Sequence, residues 1–250
     1  IRVSGNFFSS LFKIIFFTLL LNKKRRRIYF QRFSGIINSI LGKKSWYRPK
    51  ILINWLIQYF IYKNLMSLKS KKVLVTGVAG FLGSHLSEEL VKLGHKVVGI
   101  DNMIGGYEDN VPQNIEFHNI DCCDFKKVQS IIKGVDVVYH CAATAHEGLS
   151  VFSPFEITKN NYLASVSIFS AAVNEKVKRI IFCSSMARYG DQKAPFTEKM
   201  KPKPVDPYAI SKVAAEEVLK NLCELNKIEW VIAIPHNIIG PRQKYDDPFR

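Results

Sequence analysis

The sequence predicts an α/β protein built on a doubly wound parallel sheet, and three observations predict it. Apolar segments with strand periodicity and helix periodicity alternate from residue 71 to residue 250. The first strand of that series runs straight into a glycine turn that opens a helix. The residues best suited to binding or chemistry fall directly after strands, which is where open α/β sheets hold their ligands.

The elements follow in order. Val73-Leu74-Val75 reads as a buried strand, and Phe81 to Leu93 carries apolar residues at helical spacing. Val97 to Ile100 is a second strand, and Ile115 to His118 alternates like a third. Phe125 to Ile132 is a short helix before a fourth strand, Val135 to His140. A long helix over Glu156 to Val173 precedes a fifth strand, Arg179 to Cys183. A second long helix, Pro207 to Asn226, leads to a sixth strand at Trp230 to Ile234. Strand and helix in strict turn imply crossover connections, hence parallel strands with helices on both faces.

The turn after the first strand has glycines at 77, 80 and 83. Gly77 suits a tight turn, Gly80 lets backbone approach a ligand, and Gly83 lets helix and strand pack closely. The helix that follows offers free N–H groups and partial positive charge to an anion such as a pyrophosphate. The Gly-x-x-Gly-x-x-Gly spacing departs from the usual dinucleotide fingerprint, in which the first two glycines are two apart. Asp101 supplies the context: it ends the second strand, 18 residues beyond Gly83. A carboxylate there accepts hydrogen bonds from an adenosine ribose and repels a 2′-phosphate, which favours NAD over NADP.

Tyr208-Ala209-Ile210-Ser211-Lys212 places a tyrosine and a lysine at i and i+4, on one helix face. An ammonium stabilises a phenolate, so the tyrosine can exchange a proton with a substrate hydroxyl near neutral pH. Ser184-Ser185 follows the fifth strand and offers a hydroxyl to the same oxygen. Each motif alone is common; glycine turn, Asp101, Ser185 and Tyr208/Lys212 in this order are not.

The charge is unevenly spread. Of 36 Lys and Arg, 16 lie in residues 1–72, which hold no Asp or Glu, whereas residues 73–250 carry 20 against 21 acids. The net charge of +15 therefore belongs to the leader, and nucleic-acid binding by the folded part is excluded as an inference from it. Residues 1–70 form a basic, apolar leader: an apolar run from Phe7 to Leu21 broken by Lys13, the cluster Lys23 to Arg27, and a second run from Ile51 to Tyr62. Each run falls short of the roughly 20 residues a membrane span needs. Residues 1–65 are expected either to lie against a membrane as helices or to be upstream sequence foreign to the enzyme, with Met66 as a natural start. Both ends of the sequence look like cuts. Cys122, Cys123, Cys141, Cys183 and Cys223 form neither a C-x-x-C pair nor a zinc spacing, so no metal is expected, and a reducing, cytoplasmic setting suits them.

Taken together, these motifs resemble the extended short-chain dehydrogenase/reductase family, in its NAD-dependent epimerase/dehydratase branch, and are most similar to the UDP-glucose 4-epimerase type. The resemblance spans residues 71–250. It rests on Thr76 to Gly83, Asp101-Asn102, Ile120-Asp121, His140 to Ala143, Phe182 to Gly190, Pro207 to Lys212 and Asn237 to Gln243. It implies a Rossmann-type sheet whose smaller C-terminal substrate subdomain is largely missing from this sequence. Carried over residue by residue, it implies that Phe81 and Leu82 meet the NAD pyrophosphate, Asp101 and Asn102 the adenosine ribose, and Asp121 and Cys122 the adenine. Ala142, Ala143 and Thr144 would line the cofactor, with Pro235 beside the nicotinamide. Ser185, Tyr208 and Lys212 would be catalytic, and Asn237 would meet the substrate with Ser185 and Tyr208.

The activity the resemblance implies is NAD-dependent epimerisation of a nucleotide-diphosphate sugar at C4, through a 4-keto intermediate. The alternatives are a related nucleotide-sugar reductase or decarboxylase, or a non-catalytic NAD-binding domain tethered to the inner face of a membrane. Met186-Ala187-Arg188 stands where 4,6-dehydratases carry an Asp-Glu pair, which argues against dehydration. The arginine often found shortly before Asn237 is also absent. A homodimer is implied through the two long helices. His146 and Glu147 fall in a predicted cofactor-side loop, from which they could touch substrate; the reading preferred is a solvated loop.

Overall fold

The computed structural model describes residues 70–145 and 147–244. Its strands are β1 (Lys72–Thr76), β2 (Lys96–Asp101), β3 (Glu116–Asn119), β4 (Val137–His140), β5 (Arg179–Cys183) and β6 (Glu229–Ala233). They form one sheet in the order β3-β2-β1-β4-β5-β6, every neighbouring pair parallel. Chain order runs outward in one direction from β1 to β3 and in the other from β4 to β6. The reversal between β1 and β4 leaves a crevice at their carboxyl ends.

Alternation along β1 shows why the sheet needs helices on both sides. Leu74 packs into one apolar cluster with Val98, Val138, Ile168, Phe169, Phe182 and Leu219. Val73 and Val75 point the other way, into a smaller cluster with Leu90, Val97 and Val137. Helix α1 (Phe81–Lys92) covers the second face; α2 (Phe125–Ile131), α5 (Ala164–Asn174) and α6 (Pro207–Asn226) cover the first.

The helix boundaries have local causes. Asp124 caps α2 by accepting from Lys127 N at 3.2 Å, and Asp206 caps α6 by accepting from Ala209 N at 2.8 Å. Pro207 stands at the first position of α6, where its missing N–H costs nothing, and Lys227 ends the helix with φ of 56°. The expected continuous helix over Glu156 to Val173 is interrupted. It comprises α4 (Pro154–Thr158), one π turn (Lys159–Leu163) and α5. A short helix, α3 (Glu147–Ser150), also occupies part of the predicted loop after β4. Among the described residues no helix is long and apolar enough to cross a membrane. The expectations for residues 1–65 and for His146 lie outside the described residues.

Candidate active site

The crevice at the switch point opens into a cavity of about 620 Å³. Its floor at one end is the glycine turn. Gly77 has φ of +72°, and a Cβ there would lie 2.8 Å from the Ala142 backbone, so the turn abuts the strand-end loop of β4. A Cβ on Gly83 would come within 2.1 Å of the Gly77 carbonyl oxygen, so α1 can start only this close because Gly83 has no side chain. The first N–H groups of α1, those of Phe81, Leu82 and Gly83, have no partner within the helix, and all three residues line the cavity.

Asp101 closes β2 beside that turn. Its carboxylate accepts from Ala79 N at 2.9 Å and from Met103 N at 2.8 Å, which joins the end of β2 to the turn. Burial pushes the carboxyl up from its ordinary range, and those backbone donors oppose the shift. Asn102, Asp121 and Cys122 lie on the same end of the wall. Asp121 accepts from Cys123 N at 2.8 Å, and burial drives the Cys122 thiol up, which leaves it an inert apolar contact.

The middle of the wall is the loop after β4, held by a buried polar chain. Ala142 N donates to Thr76 Oγ1 at 3.1 Å, and the Thr76 hydroxyl lies 2.7 Å from His140 Nδ1. His140 Nε2 lies 2.9 Å from Ser165 Oγ, and that hydroxyl donates in turn to the Asn161 carbonyl. The chain is complete only with neutral His140 carrying its proton on Nε2. Burial pulls His140 down to about 3, helped by the charge of Lys212. Asn161 then grips Thr144 twice: its Oδ1 accepts from Thr144 N at 2.7 Å and its Nδ2 donates to Thr144 O at 3.1 Å. The π turn rotates Asn161 inward to do so, a use typical of π turns at ligand sites.

The other end carries Ser185, Tyr208 and Lys212, the groups expected from the sequence to be reactive. Tyr208 and Lys212 are both buried at the start of α6. The Lys212 ammonium donates to the Cys183 carbonyl at 2.9 Å and lies 6.0 Å from the centre of the Tyr208 ring. Burial lowers it to about 8. Ser185 begins a 3₁₀ turn (Met186–Tyr189), its Oγ accepting from Ala187 N at 3.2 Å. One helical turn beyond Lys212, the fully buried Glu216 accepts from the Ser184 hydroxyl and pairs with Arg188 at 3.2 Å. Glu216 thus fastens the serine turn to the helix that carries Tyr208. Pro235 holds the same turn from β6, its carbonyl accepting from Met186 N at 3.2 Å.

A match to the model of the NAD dependent epimerase/dehydratase family runs over residues 73–249. The chain belongs to that family. A UDP-glucose 4-epimerase of Streptomyces lividans is 32% identical over 176 residues, covering 68% of this chain and 53% of that protein. A UDP-N-acetyl-alpha-D-glucosaminuronate decarboxylase of Bacillus cytotoxicus is 35% identical over 188 residues, covering 72% and 58%. The crystal structure of the Thermus thermophilus UDP-glucose 4-epimerase with NAD superposes with a TM-score of 0.67 at 34% identity, covering 69% and 57%. The chain spans little more than half the length of these relatives.

Every site residue expected from the sequence lines this one cavity, from Gly77 and Gly80 at one end to Ser185, Tyr208, Lys212, Pro235 and Asn237 at the other. Ala142, Ala143 and Thr144 lie between them. The family's cofactor fits the wall. The glycine turn leaves no side chain where a pyrophosphate would sit, and Asp101 ends the neighbouring strand beside it.

Sequence reasoning missed Asn161, Glu216 and the Gly105–Gly106 loop, which also lines the cavity. Glu147, expected in a cofactor-side loop and read as solvated, is exposed and also lines the cavity at the opening of α3. The segment after β6, expected to carry Pro235 beside the nicotinamide and Asn237 at the substrate, also folds onto α1: Arg242 pairs with Glu88 at 2.5 Å, and His85 lies 3.0 Å from the Pro241 carbonyl.

Proposed function

We propose that this chain forms the cofactor half of an NAD-dependent epimerase acting on a nucleotide-diphosphate sugar at C4, through a 4-keto sugar. The observation that carries the reading is the convergence of Ser185, Tyr208 and Lys212 on a cavity whose other end is the Gly77–Gly83 turn and Asp101. Phe81, Leu82, Asp101, Asn102 and the loop Ala142–Thr144 would hold the dinucleotide. Bound there, NAD would supply a reversible hydride acceptor for C4. Tyr208 would take the C4 hydroxyl proton and later return it. Lys212, charged below about pH 8, would stabilise the phenolate in between. Ser185 would hold the same oxygen and keep it in line with Tyr208. Met186 and Ala187 carry no carboxylate for water loss, which supports epimerisation over dehydration.

The division of the chain near residue 70 and a membrane contact through residues 1–65 are supported by the charge pattern and the apolar runs of that segment. Free thiols at all five cysteines support a reducing, cytoplasmic setting. A homodimer is supported by exposed apolar side chains on the helical segments after β4 and β5, namely Phe155, Leu163 and Ile210, with Phe152 in the turn before α4. The test is turnover by the uninterrupted reading frame that contains this chain. The expected outcome is interconversion of UDP-glucose and UDP-galactose, or of their N-acetyl forms, without net NADH, lost in Tyr208→Phe. Release of carbon dioxide from a uronate substrate would instead establish the decarboxylase reading, which the 35% identical relative favours.

A further inference from the structure

We infer that Glu216 is a positioning residue for the proton transfer at C4: it brackets Ser185 from both sides and fixes that residue against the helix face that carries Tyr208 and Lys212. The inference deepens the proposed function and rests on it.

Three observations carry it. First, Tyr208, Lys212 and Glu216 stand at i, i+4 and i+8 of α6, one stripe of the helix, and all three are buried. That stripe meets the end of β5. The Lys212 ammonium donates to the Cys183 carbonyl at 2.9 Å, and Glu216 accepts from the hydroxyl of the next residue, Ser184. Second, Glu216 also reaches the far side of Ser185. Its other carboxylate oxygen lies 3.2 Å from the Arg188 guanidinium, and Arg188 N donates to the Ser185 carbonyl at 3.2 Å. One carboxylate thus holds the residue before Ser185 and the residue that closes the turn behind it. Third, the cluster is not built as stability alone would build it. Glu216 is fully buried and Arg188 nearly so. Yet Arg188 Nε and Glu216 Oε2 have no hydrogen-bond partner among the described residues, the carboxylate oxygen meeting the guanidinium as an ion pair only. An incompletely satisfied buried ion pair adds little stability over apolar packing of the same volume, so the geometry it fixes is the better account of it.

Glu216 also acts on Lys212 through its charge. Around the ammonium stand His140 of β4, Cys141 after it and Cys183 of β5, with Tyr208 and Glu216 on its own helix. Arg188 is a further cation, on the far side of Glu216. Burial pulls Lys212 down to about 8, and Cys183, Cys141 and Glu216 oppose the fall. Without the Glu216 charge, Arg188 and Lys212 are two buried cations in one cluster, which favours loss of the Lys212 proton. Position and charge are therefore separable by substitution.

The test measures kcat, KM and NAD affinity of the full reading frame across pH, per folded molecule. In the near-isosteric Glu216→Gln, kcat is expected to fall by about ten- to a hundredfold, the order that a misplaced group costs, while KM and NAD affinity stay within about threefold of native. Its alkaline limb should move down from about pH 8 by at least roughly half a unit. Glu216→Asp keeps the charge, so its limb should stay near the native pH, and its shorter side chain should recover only part of kcat. Ser184→Ala removes one bond and leaves the ion pair, so kcat should fall with the limb unmoved. A merely structural role would lower Tm and leave both kcat and the limb native. That result for Glu216→Gln overturns the inference, as does native kcat in Ser184→Ala should the Gln variant fail to fold. Absence of turnover by the native enzyme with UDP-glucose, UDP-galactose and their N-acetyl forms overturns the proposed function, and the role of Glu216 with it.

Discussion

Replacing Gly83 by alanine sets two opposed effects against each other at a position where the geometry decides. Gly83 lies inside α1, where alanine is favoured over glycine by about 1 kcal/mol if nothing obstructs the new methyl. Here the methyl would stand 2.1 Å from the Gly77 oxygen, 2.7 Å from its carbonyl carbon and 3.1 Å from Val78 Cα. Relief requires a shift of more than about 1 Å to reach ordinary contact. Neither side yields easily. Gly77 N donates to Ile100 O at 2.8 Å, Gly80 N donates to Gly77 O at 3.1 Å, and α1 is packed through Leu90 against β1 and β2. Overpacking of this kind costs about 3 kcal/mol, so the net loss is about 2 kcal/mol, a fall in Tm of about 4–8 °C for a domain of this size. Moving α1 away would also draw the Phe81 and Leu82 N–H groups from the position proposed for the pyrophosphate. Losing one or two such charge-assisted bonds weakens NAD binding by about ten- to a hundredfold. Thermal unfolding and calorimetric titration with NAD measure the two effects. Gly105→Ala is the control, because Gly105 lines the same cavity and its added methyl would meet nothing within 4 Å. A Gly83→Ala protein with native Tm and NAD affinity within twofold of native would refute the close-packing argument.

Three further outcomes are expected. Turnover should fall as pH rises through about 8, where Lys212 loses the charge proposed to stabilise the Tyr208 phenolate; Lys212→Met should lose both the limb and about a hundredfold or more in rate, and a native rate that stays flat to pH 9.5 would contradict this. His140 binds its proton at about 3 when folded and near 6.5 when unfolded, so the stability of neutral His140 is fully present above 6.5 and is lost toward acid. Urea unfolding should weaken by about 1.4 kcal/mol per pH unit below 6.5 from this group, with the slope reduced by that amount in His140→Asn; equal slopes would sink the assignment. Asn161→Ala removes both bonds to Thr144 and should cost about 2–3 kcal/mol, with faster hydrogen exchange at Thr144 N; unchanged exchange there would show that the loop does not depend on Asn161.

What the sequence revealed and what it hid divide along contact range. Gly77 to Gly83, Tyr208 with Lys212, and Asp101 at a strand end are local patterns, set by a turn, a helical period or a strand boundary, so spacing alone exposes them. Asn161 and Thr144 stand 17 residues apart, and Glu216 meets Ser184 across 32. Nothing in either neighbourhood announces the partner, because packing of α5 and α6 on the sheet brings them together. The π turn is hidden for a related reason. Apolar periodicity from Glu156 to Val173 reads as one helix, and a single extra residue per turn rotates Asn161 inward without disturbing it.

The buried polar chain explains how two separately built halves make one site. Residues after β1, β2 and β3 suit binding, and those after β5 and β6 suit chemistry; between them lies β4, next to the switch point. An apolar core cannot fill that seam, because its upper edge must stay open to ligand and its backbone groups need partners. Thr76 on β1, His140 on β4, Ser165 on α5 and Asn161 in the π turn supply them in sequence, from the glycine turn to Thr144. Each member has its place only if the next is present, so the chain sets the height of the β4 loop against both the glycine turn and α5. A half-satisfied version would be worse than an apolar one, since each orphaned group would cost its full desolvation. The seam is therefore the part of the molecule where loss of one hydrogen bond should disturb cofactor binding and proton transfer together, whereas Gly83→Ala and Tyr208→Phe each disturb one of them.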